Sequence, residues 1–291
     1  MTRSRHALLL IALLSLAACR NDAPAPVAEA ASNATPQAAA STQQASAEDP
    51  ERVAAAEALI RAAQDAAAKA PPLVSGVDFV LIPGGQPFDT TPDRIELVEV
   101  FGYVCPFCAA VQPTVSAMKA KLPADVHMVY VPAAFGSMWD NYAKAYYAAE
   151  AMGLVEKTHD AMFRAIHIDK TLKGERGMDK PEEIAAFYAG YGADPAQFLS
   201  HMQSFAVATK ANRGKQFIVN AFAADGATPS TPTFIVNGKY RVKGKTIEDM
   251  FRIVNQLIVS ERANLPAPAA ATPTADAPAT DASASSATPQ R

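Results

Sequence analysis

From Ile95 to Leu122 the chain reads IELVEVFGYVCPFCAAVQPTVSAMKAKL. A short apolar strand runs into Cys105-Pro106-Phe107-Cys108, and a helical pattern follows. Two cysteines three apart at a strand-to-helix junction lie within one helical turn, so their sulfurs can meet in a disulfide. If the helix starts at Cys105, that thiol lies among the unpaired N–H groups of the first turn, at the positive end of the helix dipole, where its thiolate is favoured. Cys105 is therefore the expected attacking sulfur. Cys108, one turn inside and better shielded, is expected to keep a higher pKa and to resolve a mixed disulfide. Pro106 suits the first helical position, where its missing N–H has no partner to lose and its φ is already helical.

The same spacing is also half of a zinc site, which needs two more close ligands. The only other cysteine is Cys19, and the histidines His6, His127, His159, His167 and His201 form no H-x3-5-H pair, so neither metal nor cofactor is expected. A purely structural disulfide closing so short a loop adds little entropic stabilisation. Redox chemistry is the better use of the pair.

The chain has 291 residues, with 26 Lys+Arg against 29 Asp+Glu, and this balance gives no sign of a nucleic-acid partner. Residues 1–19 read as an export signal: Arg3 and Arg5, the apolar run Ala7 to Leu16, then small residues before Cys19. The run is too short to span a bilayer. Its end, Leu16-Ala17-Ala18-Cys19, resembles the lipobox of bacterial lipoproteins, which implies lipidation of Cys19. Arg20 after the cysteine, rather than Asp, implies sorting to the outer membrane. Cleavage after an A-x-A pattern such as Ala23-Pro24-Ala25 is the alternative, and would remove Cys19. Either route leads to an oxidising compartment, the periplasm, where a disulfide persists.

Residues 20–71 read as a disordered tether carrying one weak helix from Pro50 to Lys69, whose role the sequence leaves open. Residues 265–291 read as a disordered Ala/Pro-rich tail. Between them, 72–264 has the size of one domain. Val77 to Ile82 reads as a strand that turns at Pro83-Gly84-Gly85 and returns through Gln86 to Phe88 as a small hairpin. In the Cys105 strand, Ile95, Leu97, Glu99 and Phe101 share one face, which puts Glu99 on an otherwise apolar side. Pro113 is expected to kink the redox helix. Val126 to Val131 is a further strand, and about 139–222 is a helical block with expected helices at Trp139–Met152, Val155–Ile166, Pro181–Tyr191 and Pro195–Phe222. Asp179 and Asp194 are the capping candidates beside its proline-led starts. The tyrosines Tyr142, Tyr146 and Tyr147 read as core. Finally, Phe234-Ile235-Val236, the turn Asn237-Gly238 and an arm from Lys239 to Val242 read as a type I′ hairpin, followed by a helix that Thr246 caps.

Strand, redox helix, strand, helical block, hairpin and helix make an α/β sheet with a helical insertion. That order, with C-x-x-C at the strand-to-helix junction and Thr231-Pro232 leading into the late hairpin, resembles the thioredoxin superfamily over residues 75–260, and the insertion resembles its DsbA branch of bacterial thiol:disulfide interchange proteins. The resemblance implies a thioredoxin-like fold with Cys105 as nucleophile and Cys108 as resolving thiol. It also implies that Pro232 is a cis-proline beside the disulfide, that Thr231 pairs with an extended client, and that Pro106 and Phe107 face that client. Glu99 matches an acidic residue that the family keeps beneath the cysteines, and a carboxyl group on an apolar face is physically suited to relay a proton. The implied function is donation of the Cys105–Cys108 disulfide to exported proteins bearing cysteines, with reoxidation by a DsbB-like membrane partner. The alternatives are a reductase or isomerase, since Thr231 and Phe107 also resemble the DsbG and DsbC branch, and a dithiol copper-binding module. Phe107 departs from the best-known DsbA motif, which has His there.

Overall fold

The structure, a computed structural model, describes residues 50–91 and 93–265. The leader with Cys19, the tether up to residue 49 and the tail from 266 lie outside the described residues. The centre of the fold is β2 (Ile95–Phe101), a seven-residue strand in which every position is buried. A strand covered on both faces needs apolar residues throughout rather than alternation, which is what Leu97-Val98 and Val100-Phe101 supply. It pairs parallel with β3 (Val126–Pro132) and antiparallel with β4 (Thr233–Val236). With β1 (Phe79–Leu81) and β5 (Tyr240–Val242), the sheet has the order β1-β5-β4-β2-β3.

On one face, Ile95, Leu97, Phe101 and Phe234 join the core beneath α2 (Pro106–Ala120) and α8 (Ile247–Arg262). On the other, Val98, Val100 and Ile235 meet Ile218 and Phe222 of α7 (Phe205–Ala223). The helical block comprises α3 (Ser137–Ala151), α4 (Val155–His167), α5 (Pro181–Ala189), α6 (Pro195–Met202) and α7. Tyr142, Tyr146 and Tyr147 are core, as their spacing predicted. The segment whose role the sequence left open is α1 (Pro50–Lys69), which buries Ala56, Ile60 and Ala63 and contacts α2 and α8.

Four local expectations need correction. The return arm Gln86 to Phe88 is not a strand. The Glu96 carboxylate accepts the N–H groups of Phe88 and Asp89 at 2.7 and 2.5 Å, Pro87 has no N–H to give, and β1 takes β5 as its partner instead. The expected helix from Pro195 to Phe222 is two helices, because Ser204 restarts the chain as an N-cap, its hydroxyl accepting the Val207 N–H at 3.2 Å. Asp194 caps α6, but Asp179 does not cap α5. Its carboxylate accepts from the Tyr142 hydroxyl at 2.7 Å and from the Gly174 N–H at 2.8 Å, while Glu183 closes the start of α5 by accepting the Lys180 N–H. The late hairpin has three loop residues rather than two, since Val236 pairs with Tyr240. Asn237 and Gly238 do take the positive φ values, 49° and 63°, that their types favour. Helix α2 runs unbroken through Pro113.

Candidate active site

Helix α2 opens as its sequence predicted. Cys105 is the N-cap with extended backbone, Pro106 occupies the first turn, and the Cys105 sulfur accepts the Cys108 N–H at 3.3 Å. Both cysteines are free thiols. Only the edge of Cys105 reaches solvent, at 5% exposure, and Cys108 has none. Beside them the Phe107 ring is 73% exposed. The Thr231–Pro232 peptide is cis, and the Cys105 thiol donates to the Thr231 carbonyl at 3.6 Å. The strand-to-helix junction and the start of β4, separated by more than a hundred residues of sequence, therefore meet at one sulfur.

The two thiols are electrostatically unlike. Cys105 is pulled down to about 6, chiefly by the hydrogen bond from the Cys108 thiol and against the opposing effect of burial, with Thr231 and the Cys108 and Phe107 N–H groups adding to it. Cys108 is pushed far above the ordinary thiol range, first by burial, then by its hydrogen bond to Cys105 and the negative charge of Glu99. At neutral pH the outer sulfur is largely a thiolate and the inner one holds its proton.

Glu99 lies where the strand pattern put it, on the apolar face, with no solvent exposure. Its neighbours across the sheet are Tyr130 and Phe234. Neither carboxylate oxygen has a hydrogen-bond partner. Burial raises its pKa from 4.5 to about 8, and the charges of Cys105 and Asp160 add to the rise.

The sequence reading passed over several groups around this centre. Tyr103 is buried, and its hydroxyl and the His159 Nδ1 are 3.0 Å apart. Burial pushes His159 down to about 3, so the ring is neutral. His167 Nε2 lies 2.7 Å from the Tyr103 carbonyl, tying α4 to the strand-to-helix junction. Trp139 lies against Gly102 so closely that a Cβ there would come within 2.1 Å of its ring, so only glycine fits. Gln112 and Ser116, one and two turns beyond Cys108, both donate to Asp160 of α4. Their spacing at 108, 112 and 116 was a visible sign of a polar stripe on one helix face. Nothing local marked their partner on α4.

Comparison with known proteins agrees with this geometry. The thioredoxin family model matches residues 93–256. The thiol:disulfide interchange protein DsbA of Pseudomonas aeruginosa is 37% identical over 200 residues, covering 68% of this chain and 90% of that one. The DsbA of Azotobacter vinelandii is 36% identical over 191 residues, covering 65% and 84%. Among solved structures, the oxidoreductase DsbA from Xylella fastidiosa superposes with a TM-score of 0.61 at 38% identity, covering 66% of this chain and 98% of that chain.

Proposed function

The chain belongs to the DsbA family of thiol:disulfide interchange proteins within the thioredoxin superfamily, and on that premise we propose that it donates the Cys105–Cys108 disulfide to exported proteins in the periplasm. The observation that carries this reading is the opposite displacement of the two thiols, down to about 6 for Cys105 and far up for Cys108. A disulfide whose outer sulfur is a good leaving thiolate is readily given away.

A client thiolate attacks the Cys105 sulfur and the Cys105–Cys108 bond breaks. Cys108 departs with the electron pair and takes a proton, for which Glu99, a buried acid whose charge acts on Cys108, is the candidate donor. A second client thiolate then attacks the client sulfur of the mixed disulfide. Cys105 leaves as its stabilised thiolate, the client is oxidised and the protein is reduced by two electrons. The Thr231 backbone beside cis-Pro232 suits an extended client lying against Cys105, a form of strand addition, with Pro106 and the exposed Phe107 ring on the same rim. A DsbB-like membrane partner restores the disulfide. Lipidation of Cys19 would hold the protein at the outer membrane, and Cys19→Ser would then release it into the soluble periplasmic fraction. Unchanged membrane fractionation of that variant would remove the anchor from this account.

The deciding measurement is the equilibrium of the pair with a glutathione series, followed by mass after thiol alkylation. A potential above about −150 mV supports a donor, and one below about −200 mV supports the reductase or isomerase direction.

A further inference from the structure

A polar cleft of about 190 Å³ opens between α2 and α4, lined in part by Ser116, Lys119, Tyr130, His159 and Asp160. Two sets of contacts connect it with the interior of the active site. The half-buried Asp160 carboxylate accepts from Gln112 Nε2 at 2.8 Å and from the Ser116 hydroxyl at 3.1 Å. Gln112 lies one turn beyond Cys108 on the same face of α2 and meets the Tyr130 hydroxyl, and Tyr130 is the residue paired with Glu99 across β2 and β3. Polar side chains thus follow one another from Glu99 past Gln112 and Tyr130 to Asp160 at the cleft, bonded from Gln112 outward but with no direct bond to Glu99.

That series holds an unusual share of unmet hydrogen-bonding capacity. Both Glu99 oxygens, the Gln112 Oε1 and the His159 Nε2 are buried without a partner. Buried polar atoms in folded proteins are almost always satisfied by protein or by water, and neighbouring unsatisfied atoms beside a polar cleft are where bridging water is found. Asp160 also acts on Glu99 through its charge, even though the two do not bond directly.

We propose that the α2–α4 cleft is the proton port of the active site, in which water bridges Glu99 past Gln112 and Tyr130 to Asp160, and Asp160 exchanges the proton with solvent. The inference rests on Glu99 serving as the proton donor to Cys108. The balance is one proton per turnover. When Cys108 leaves as a thiolate, the Glu99 carboxyl gives up its proton and is refilled from solvent through Asp160. When the disulfide is restored, Cys108 returns the proton to Glu99 and it leaves by the same path. No electrons move through Asp160. It touches neither sulfur and acts as a positioning residue. The titratable groups facing it are Lys119 of α2, Tyr130 of β3, and Glu156 and His159 of α4. Cys105 and Asp160 act on Glu99 by charge, and Glu99 in turn acts on Cys108 and Tyr130.

The test is the single-turnover oxidation of a dithiol peptide by the full protein, measured against pH for wild type, Asp160→Asn, Gln112→Leu and Glu99→Gln. Asp160→Asn is expected to slow the Cys108-dependent step about five- to tenfold. It should also move the inflection of the profile to lower pH, since a negative charge near Glu99 is gone, and millimolar imidazole, small enough for the cleft, should restore the rate. Gln112→Leu places an apolar side chain of similar size in the series and should give the same slowing, with little added by combining the two changes. A purely structural role for Asp160 predicts neither the shifted inflection nor the rescue. If Glu99→Gln changes the profile while Asp160→Asn and Gln112→Leu do not, the port lies elsewhere and this inference is overturned. If Glu99→Gln itself leaves the profile unchanged, the donor role of Glu99 fails first and the port falls with it.

Discussion

Two glutamates three residues apart on β2, Glu96 and Glu99, are both buried without solvent exposure, and the chain treats them in opposite ways. Glu96 is fully engaged. It accepts the N–H groups of Phe88 and Asp89, its own N–H donates to Asn237, and His127 lies 3.9 Å from its carboxylate. Glu99, on the opposite face, has no partner for either oxygen. Burial raises both, Glu96 to about 7 against the pull of two backbone hydrogen bonds, and Glu99 to about 8 with no such bonds. The same strand thus holds one carboxylate as an internal fastener for Phe88 and Asp89 and leaves the other without a hydrogen-bond partner beside the thiols. Burial alone does not mark a functional acid. Burial without hydrogen bonds, next to a reactive group, is what singles out the candidate.

The largest effect that separates the two is on stability as a function of pH. A carboxyl raised from 4.5 to about 8 binds more protons folded than unfolded across that window, so the folded state loses stability as pH rises through it. At about 1.4 kcal/mol per pH unit, the loss approaches about 5 kcal/mol as an upper bound. Glu99→Gln removes it. In urea titrations of the reduced protein, the variant should match wild type below pH 4.5 and become progressively more stable up to pH 8, then hold its advantage. A constant difference between pH 5 and 9 would show that Glu99 ionises normally and that the contrast with Glu96 is false.

Next in size is the effect on rate. Glu99→Gln should slow the Cys108-dependent half of turnover about ten- to a hundredfold, or about 1.4–2.8 kcal/mol. Glu96→Gln should leave that step within about twofold, because Glu96 faces away from the sulfurs. Single-turnover mixing with a dithiol peptide measures both. Equal slowing in the two variants would mean that β2 transmits a general distortion rather than a proton.

Much of this contrast was legible in the sequence, and the part that was not has a physical reason. The period-two pattern of Ile95, Leu97, Glu99 and Phe101 put Glu99 on the apolar face, and the C-x-x-C spacing with Pro106 placed Cys105 at the helix cap. Those are local signals, fixed by backbone geometry over a few residues. Pro232 was found through a resemblance, because nothing in the residues themselves announces a cis bond. Glu96 escaped notice: alternation puts it opposite Glu99, where a charged residue reads as solvent-facing. Only the tertiary arrangement, with α7 covering that face and Asn237 arriving from the other end of the chain, buries it. Asp160 and His159 were missed for the same reason, since an amphipathic helix does not say which of its polar residues turns toward the redox helix and the strand beneath it. The split between α6 and α7 turned on a single capping serine, Ser204, in a stretch whose helical period continues on both sides.

The smallest expected effect sharpens the comparison from the Glu96 side. Glutamine in its place has one acceptor oxygen for two donors, so either the Phe88 or the Asp89 N–H would face an amide NH2 group. A buried donor left unpaired costs about 1–3 kcal/mol. Glu96→Gln should therefore lose about that much at about pH 4, where the carboxyl is protonated in the folded and the unfolded chain alike. As pH rises from 4.5 to about 7 the unfolded carboxyl gives up its proton while the buried one keeps it, so wild type loses stability and the deficit should narrow. The two glutamine variants then respond to pH with the same slope from different starting points: Glu99→Gln begins level with wild type and moves ahead, while Glu96→Gln begins behind and recovers. Thermal unfolding at three pH values, followed by circular dichroism with both cysteines reduced, resolves them. If Glu96→Gln instead begins level at about pH 4, the Phe88 and Asp89 hydrogen bonds are dispensable, and Glu96 is no fastener but a second unpaired acid on the same strand.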